Sequence, residues 1–161
     1  MIGIVSDSHD NLFKIREAIE VFKSRKCRLI LHAGDVVAPF AIKEFAAAGC
    51  PVRAVFGNVD GEKEGLKTAI QPFGDISPAP RVIEWEGARI LLTHIPVRMD
   101  EGLDSQVYDL LVYGHTHRAE IRRRGKSLLL NPGECGGWLY GKATVGLFDP
   151  PTGEAEIVEL D

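Results

Sequence analysis

"IGIVSDSHDNLFKIREAIEVFKSRKCRLILHAGD", residues 2–35, decides the fold. Its opening, residues 2–7, is a short run rich in β-branched apolar side chains, the composition of a strand. Leu12, Ile15, Ile19 and Phe22 then recur close to the helical period, and Asp10 or Asn11 is placed to cap the first turn. "RLILHAGD", residues 28–35, returns to an apolar run that reads as a buried strand. Strand, helix and strand in one short stretch indicate a βαβ unit, and therefore a parallel sheet.

The rhythm continues outward. "PFAIKEFAAAG" (39–49) predicts a helix that opens at Pro39 and stops at Gly49. "PVRAVFGN" (51–58) predicts a third strand, and "GEKEGLKTAIQ" (61–71) a weaker helix. The character changes after Pro72. "PRVIEWEGARILLTH" (80–94) is two strand-like runs about "EG", a hairpin candidate. A short helix is expected over residues 103–107, and "YDLLVYGHTH" (108–117) brings another strand. "EIRRRGKSLLLNPG" (120–133) and "TVGLFDPPTGEAEIVEL" (144–160) read as two further hairpins. The expectation is an α/β fold in one domain over 1–161. Two sheets pack face to face with helices outside, and antiparallel hairpins complete the second sheet.

Composition narrows the function classes. With 161 residues, 45% hydrophobic and 26% charged, this is the composition of an ordinary globular protein. A net charge of -4 argues against a general nucleic-acid surface, which is normally basic. A phosphate substrate is still allowed, because bound metal ions add charge that the sequence does not count. Cys27, Cys50 and Cys135 form neither a CxxC pair nor an even set, so reduced thiols are expected. No basic, apolar leader opens the chain and no run approaches a membrane span, which predicts a cytoplasmic protein without a membrane partner.

The chemistry gathers where predicted strands end. The first strand delivers Asp7 and His9, the second Asp35, the third Asn58, the return strand of the hairpin His94, and the next His115 and His117. Side chains at the carboxyl ends of parallel strands converge on one crevice. Alone, Asn58 reads as a turn residue and His94 as a core histidine; together the set is rich in carboxylate and imidazole and lacks thiolate. Such donors suit Mn²⁺, Fe, Ni²⁺ or Zn²⁺. Residues i and i+2 of an extended segment point the same way, so Asp7 and His9 can reach one ion, and His115 and His117 a common site. Gly34, Gly57 and Gly114 each precede a candidate ligand, where the backbone must turn or pass close. His32, in mid-strand, is expected to be a core or supporting residue. Asp10 and Asp60 read as cap and turn residues, either able to hold a supporting hydrogen bond.

In order, D-x-H, G-D, G-N, a lone His and G-H-x-H resemble the calcineurin-like metallophosphoesterases along nearly the whole chain. Short length, "GNVD" and the late "NPG" (131–133) look like the small YfcE/MJ0936 type of phosphodiesterase, to which the scaffold protein Vps29 is related. The resemblance implies an αββα sandwich of two mixed sheets flanked by helices. It implies two divalent ions, manganese first, with nickel, zinc or iron as alternatives. Asp7, His9 and His117 match the ligands of one ion, and Asn58, His94 and His115 those of the other. Asp35 matches the carboxylate that bridges them. In the family a metal-bridging hydroxide attacks phosphorus, with Asp35, Asn58 and His94 at the reacting centre.

Three positions depart from that pattern. Val59 stands where larger members carry a histidine, so no proton can come from this position. That predicts a preference for aryl leaving groups over alkyl ones. Ile95 follows the lone histidine in place of glycine, and "IPVRMDEGLDS" is expected to wall the substrate pocket, with Arg98 a candidate phosphate contact. Glu134 replaces the serine of "NPGS", with Asn131 and Gly133 shaping a turn. The arginines at 122–124 read as a solvated hairpin face. The expected function is hydrolysis of a small or nucleotide-like phosphodiester. The alternatives are a phosphomonoesterase or nucleotide pyrophosphatase on the same centre, and a Vps29-like interaction scaffold. The partner is a small phosphate ester, no nucleic-acid surface is evident, and a homo-oligomer is left open.

Overall fold

The computed structural model describes residues 1–161. Strands β1 (Ile2–Val5), β2 (Leu29–His32), β3 (Val52–Val55) and β4 (Gly74–Ser77) lie parallel in that order. Helices α1 (Leu12–Ser24), α2 (Pro39–Glu44) and α3 (Lys63–Ile70) make the crossovers. In the second sheet β5 (Arg81–Trp85), β6 (Ala88–Leu92) and β7 (Leu110–Val112) are followed by β9 (Ser127–Asn131) and then β8 (Glu120–Arg124). Its three middle strands are parallel and its outer pairs antiparallel. Helix α4 (Met99–Asp104) lies between β6 and β7 in sequence.

The period of two along each strand assigns the layers. Ile2, Ile4, Leu29 and Leu31 pack between the sheets with Ile90, Leu92, Leu110 and Leu128. Val5 and Ile30 belong instead to the outer core, with Ile15, Ile19 and Phe22 of α1. On the far face, α4 sets Met99 and Leu103 against Leu111 and Leu129. The result is the expected αββα sandwich of two mixed sheets. No helix is long and apolar enough to cross a membrane.

Of the two cap candidates for α1, Asn11 takes the role, its side chain accepting from the Lys14 amide at 3.3 Å. Asp10 reaches across to accept from the amide of Ala38, the residue before α2, at 2.9 Å. The β5–β6 turn takes left-handed φ at Glu86 (49°) and Gly87 (83°), the geometry that matches strand twist in a two-residue hairpin.

Several expectations need correction. The segment "PFAIKEFAAAG" is not one helix, because α2 stops at Glu44 and a 3₁₀ turn (Phe45–Ala48) follows, ended by Gly49 at φ 72°. The helix expected at 103–107 lies earlier, at Met99–Asp104, where Met99 and Leu103 are one turn apart and both buried. Strand β4 was not expected: at the sheet edge only its Ile76 is buried. Only one of the two late hairpins joins the second sheet. The other, β10 (Thr144–Asp149) with β11 (Glu154–Glu159), adds to the first sheet by pairing β10 antiparallel to β1. That pairing covers the backbone edge β1 would otherwise expose.

Candidate metal centre

The loops that leave β1, β2 and β3 carry Asp7 and His9, Asp35, and Asn58; those that leave β6 and β7 carry His94, and His115 and His117. All seven side chains meet between the two sheets' ends. Asp7 Oδ1 lies 3.3 Å from His117 Nε2 and 3.8 Å from His9 Nε2. Asp35 Oδ2 lies 3.7 Å from His9 Nε2 and 3.3 Å from His94 Nε2. Asn58 Oδ1 is 2.7 Å from His94 Nε2 and 2.9 Å from His115 Nδ1. Ligand-type atoms of Asp7, His9 and His117 form one tight group, and those of Asp7, Asp35 and His94 a second.

The backbone reaches this arrangement by turning, not by extension. Asp7, His9, Asp35, His115 and His117 all have positive φ, between 40° and 68°. Such conformations are costly for residues with a side chain and persist where the surroundings impose them, often at functional sites. The i, i+2 argument from an extended strand therefore does not describe Asp7 and His9, although both face the same space. His115 and His117 diverge, one toward Asn58 and the other toward Asp7. Two glycines permit the closeness. A Cβ on Gly57 would sit 2.0 Å from Asp35 Oδ1, and one on Gly114 would sit 1.9 Å from Ser6 Oγ.

The donor set fits divalent ions. Asp7 Oδ1 and His9 Nε2 are buried and have no hydrogen-bond partner, which costs roughly 1–3 kcal/mol for each such atom. Their neighbours at 3.3–3.8 Å are at or beyond hydrogen-bond reach. Those gaps resemble the separation of adjacent ligands around an ion held at about 2.1 Å. The imidazoles are oriented from behind: His94 Nδ1 is 2.8 Å from the Ala33 carbonyl, and His117 Nδ1 is 2.9 Å from Glu134 Oε2. With those protons directed backwards, both Nε2 lone pairs face the carboxylates.

Electrostatics follow from burial and these contacts. Burial pushes the Asp7 carboxyl above its usual range, against the Ser6 hydroxyl that donates to its Oδ2 at 2.5 Å. Burial acts the same way on Asp35, but His94 and the Val59 amide (3.1 Å) outweigh it and hold that carboxyl low. Burial disfavours charge on His94, yet Asp35 beside it leaves its pKa raised.

Two supporting carboxylates stand behind the cluster. Glu134, singled out in the sequence only as a departure, is fully buried and accepts from the amides of Leu139 (2.9 Å) and Tyr140 (2.7 Å) as well as facing His117. The charge of a residue directly after "NPG" was its one available signal. Asp60 accepts from the amides of Asp35 (3.0 Å), Val37 (2.7 Å) and Gly57 (2.7 Å), tying the β2 loop to the β3 loop. Asn131 donates to the Gly114 carbonyl at 3.1 Å and accepts from Gly133 N–H at 2.9 Å, shaping the "GHTH" turn. His32 is buried outside the cluster, against Ser8 Oγ at 3.2 Å. Arg98 is engaged by Glu101 at 2.7 Å.

A model of the calcineurin-like phosphoesterase superfamily domain matches residues 1–153. Phosphodiesterase MJ0936 of Methanocaldococcus jannaschii is 35% identical over 164 residues, covering 99% of each chain. A solved structure described as a novel archaeal phosphodiesterase superimposes with a TM-score of 0.92 at 35% identity, covering 99% of both chains. Vps29 of Entamoeba histolytica, solved in complex with Zn²⁺, shares the fold at a TM-score of 0.67, 16% identity and 99% coverage of both chains.

Proposed function

The chain belongs to the calcineurin-like phosphoesterase superfamily and is a hydrolase of phosphoric esters, and from that premise we propose a narrower activity. The enzyme is a phosphodiesterase that uses two divalent ions, manganese first among them, on a small or nucleotide-like diester. One observation carries the reading: Asp35 Oδ2 lies within 3.7 Å of His9 Nε2 and 3.3 Å of His94 Nε2, and so touches both halves of the cluster. A carboxylate in that position can serve two ions at once. Asp7, His9 and His117 would hold one, and Asn58, His94 and His115 the other. The chemistry such ions supply is neutralisation of phosphoryl charge and activation of water at neutral pH.

The chain's own residues do the positioning. With its Oδ1 turned to His94 and His115, Asn58 has its amide nitrogen left to donate to a phosphoryl oxygen. Ala33 and Glu134 fix the rings of His94 and His117, so little reorganisation is needed during reaction. Val59 contributes only its backbone N–H, to Asp35, and supplies no proton to a departing alkoxide. Aryl esters, whose leaving groups need none, are therefore the better substrates.

The test is turnover by metal-stripped protein of bis-p-nitrophenyl phosphate and p-nitrophenyl phosphate, with Mn²⁺, Ni²⁺ or Zn²⁺ returned in turn and Asp35→Asn as control. Restored turnover favouring the diester, lost in the control, is the expected result. Preference for the monoester would replace the diester reading. Tight metal binding without turnover of either would place the Vps29-like scaffold first.

A further inference from the structure

Beside the candidate centre lies an open cleft of about 860 Å³. Asn58 and His94 line its inner end, so it is continuous with the place where the phosphorus would be held. Its walls differ in character from that end. The β4–β5 connection presents Pro78, Ala79 and Pro80, and the segment after His94 presents Ile95 and Val97. Phe56 and Tyr108 add aromatic surface. Ile95 and Val97 are 45% and 69% exposed, apolar side chains that no part of the chain covers.

Charge at the cleft is sparse. Arg98 is neutralised by Glu101 at 2.7 Å, which leaves Lys63, its ammonium 5.5 Å from the Phe56 ring centroid, as the cation at the rim. A site for a run of phosphates would present more positive charge than this. The volume falls within the roughly 300–1,000 Å³ typical of sites for organic ligands, far more than a bare phosphoryl group fills. Rigid proline rings and aromatic surface suit a planar group better than a flexible chain.

We propose that this cleft is the specificity subsite of the enzyme and receives the aromatic ring of the ester group, either an aryl ring bonded through oxygen to the phosphorus held at Asn58 and His94 or a nucleobase carried on the sugar of a nucleotide ester. The inference deepens the phosphodiesterase reading and rests on it for the position of the phosphorus. Ile95, Val97 and the proline turn set which ester group is accepted, and Lys63 faces any polar edge that group carries.

The test is calorimetric binding of methyl, hexyl and phenyl phosphate and thymidine 5′-monophosphate to the manganese-loaded protein. Turnover of bis-p-nitrophenyl phosphate is measured in parallel. Phenyl phosphate and the nucleotide should bind at least about tenfold more tightly than methyl phosphate, because their rings lose apolar contact with water. Val97→Asp should remove that gain, its new charge also weakening methyl phosphate to some degree, so the reading is the ratio of phenyl to methyl phosphate binding, which should fall toward one. Val97→Asn should act in the same direction without the new charge, which separates loss of the apolar wall from repulsion of the phosphate. A nucleotide tighter than phenyl phosphate assigns nucleotide esters; parity assigns simple aryl esters. Equal binding of methyl and phenyl phosphate, hexyl phosphate as tight as phenyl, or indifference to both Val97 variants would overturn the proposal. Graded binding without turnover would instead overturn the phosphodiesterase reading and keep the subsite. Turnover without graded binding would do the reverse.

Discussion

Glu134 stands behind His117 with its side chain out of reach of solvent, and all its contacts need an acceptor. Burial would raise its pKa, but His117 and the amides of Leu139 and Tyr140 hold it below the usual carboxylate range. Glutamine in its place keeps the shape and turns one acceptor into a donor. Outer partners of metal-binding histidines typically carry 10–100-fold of metal affinity, so Glu134→Gln should weaken Mn²⁺ binding by about that factor in a calorimetric titration. Unchanged affinity would show that His117 needs no support. His32 gives a pH signature instead. Burial pushes its ring down to about 4, and its Nδ1 accepts from the Gly34 amide at 3.2 Å, so the fold requires the neutral form. Unfolded histidine titrates near 6.5, so this stability is complete above about pH 6.5. It is lost as pH falls toward 4, at up to about 1.4 kcal/mol per pH unit. His32→Asn retains an acceptor for Gly34 and cannot titrate. Its unfolding free energy should change less steeply than wild type between pH 6.5 and 4; parallel slopes in denaturant titrations would contradict the assignment.

Elements differ in how plainly the sequence announces them. The β1–α1–β2 unit was legible because burial on both strand faces writes short continuous apolar runs, while burial of one helix stripe writes the helical period between them. Strand β4 was not, because an edge strand with one buried residue has no period to read. The last hairpin was recognised as strands but given to the wrong sheet, since alternation marks a face and not a partner. At the candidate centre, the seven chemistry-bearing residues stood out by type and order. Asp60, read as able to hold a supporting hydrogen bond, and Glu134, seen only as a departure, act largely through backbone amides, partners that residue spacing does not identify. The turn after β3 is the element on which the centre depends most closely. Gly57→Ala would place a Cβ 2.4 Å from the Asp35 backbone nitrogen and 2.0 Å from its carboxylate. Overpacking of this kind costs about 1–3 kcal/mol, and relief has to move Asp35, so the variant should melt earlier and lose tight Mn²⁺ binding together. Normal metal binding in a merely destabilised variant would show that the two loops are not coupled.

The whole molecule explains why the centre lies where it does. The first sheet delivers Asp7, His9, Asp35 and Asn58, and the second delivers His94, His115 and His117, so neither sheet holds a complete donor set. The shared core of Ile4, Leu31, Leu92 and Val112 brings the two halves into register. Surface charge is spent locally: Arg122 pairs with Asp100 at 2.7 Å and Arg124 with Asp104, both acids on α4. With a net charge of -4 and those arginines engaged, Lys63 at the cleft rim is a sparse supply of positive charge for a phosphate substrate, a role that bound ions would fill. The number and neighbourhood of those ions is therefore the decisive quantity. Metal-free protein would be titrated with Mn²⁺, counting ions per chain by elemental analysis and following their magnetic coupling by electron paramagnetic resonance. Two coupled ions per chain, with coupling lost in Asp35→Asn, is the expected result. A single ion per chain, or two that remain uncoupled and are indifferent to Asp35→Asn, would contradict a shared two-ion centre.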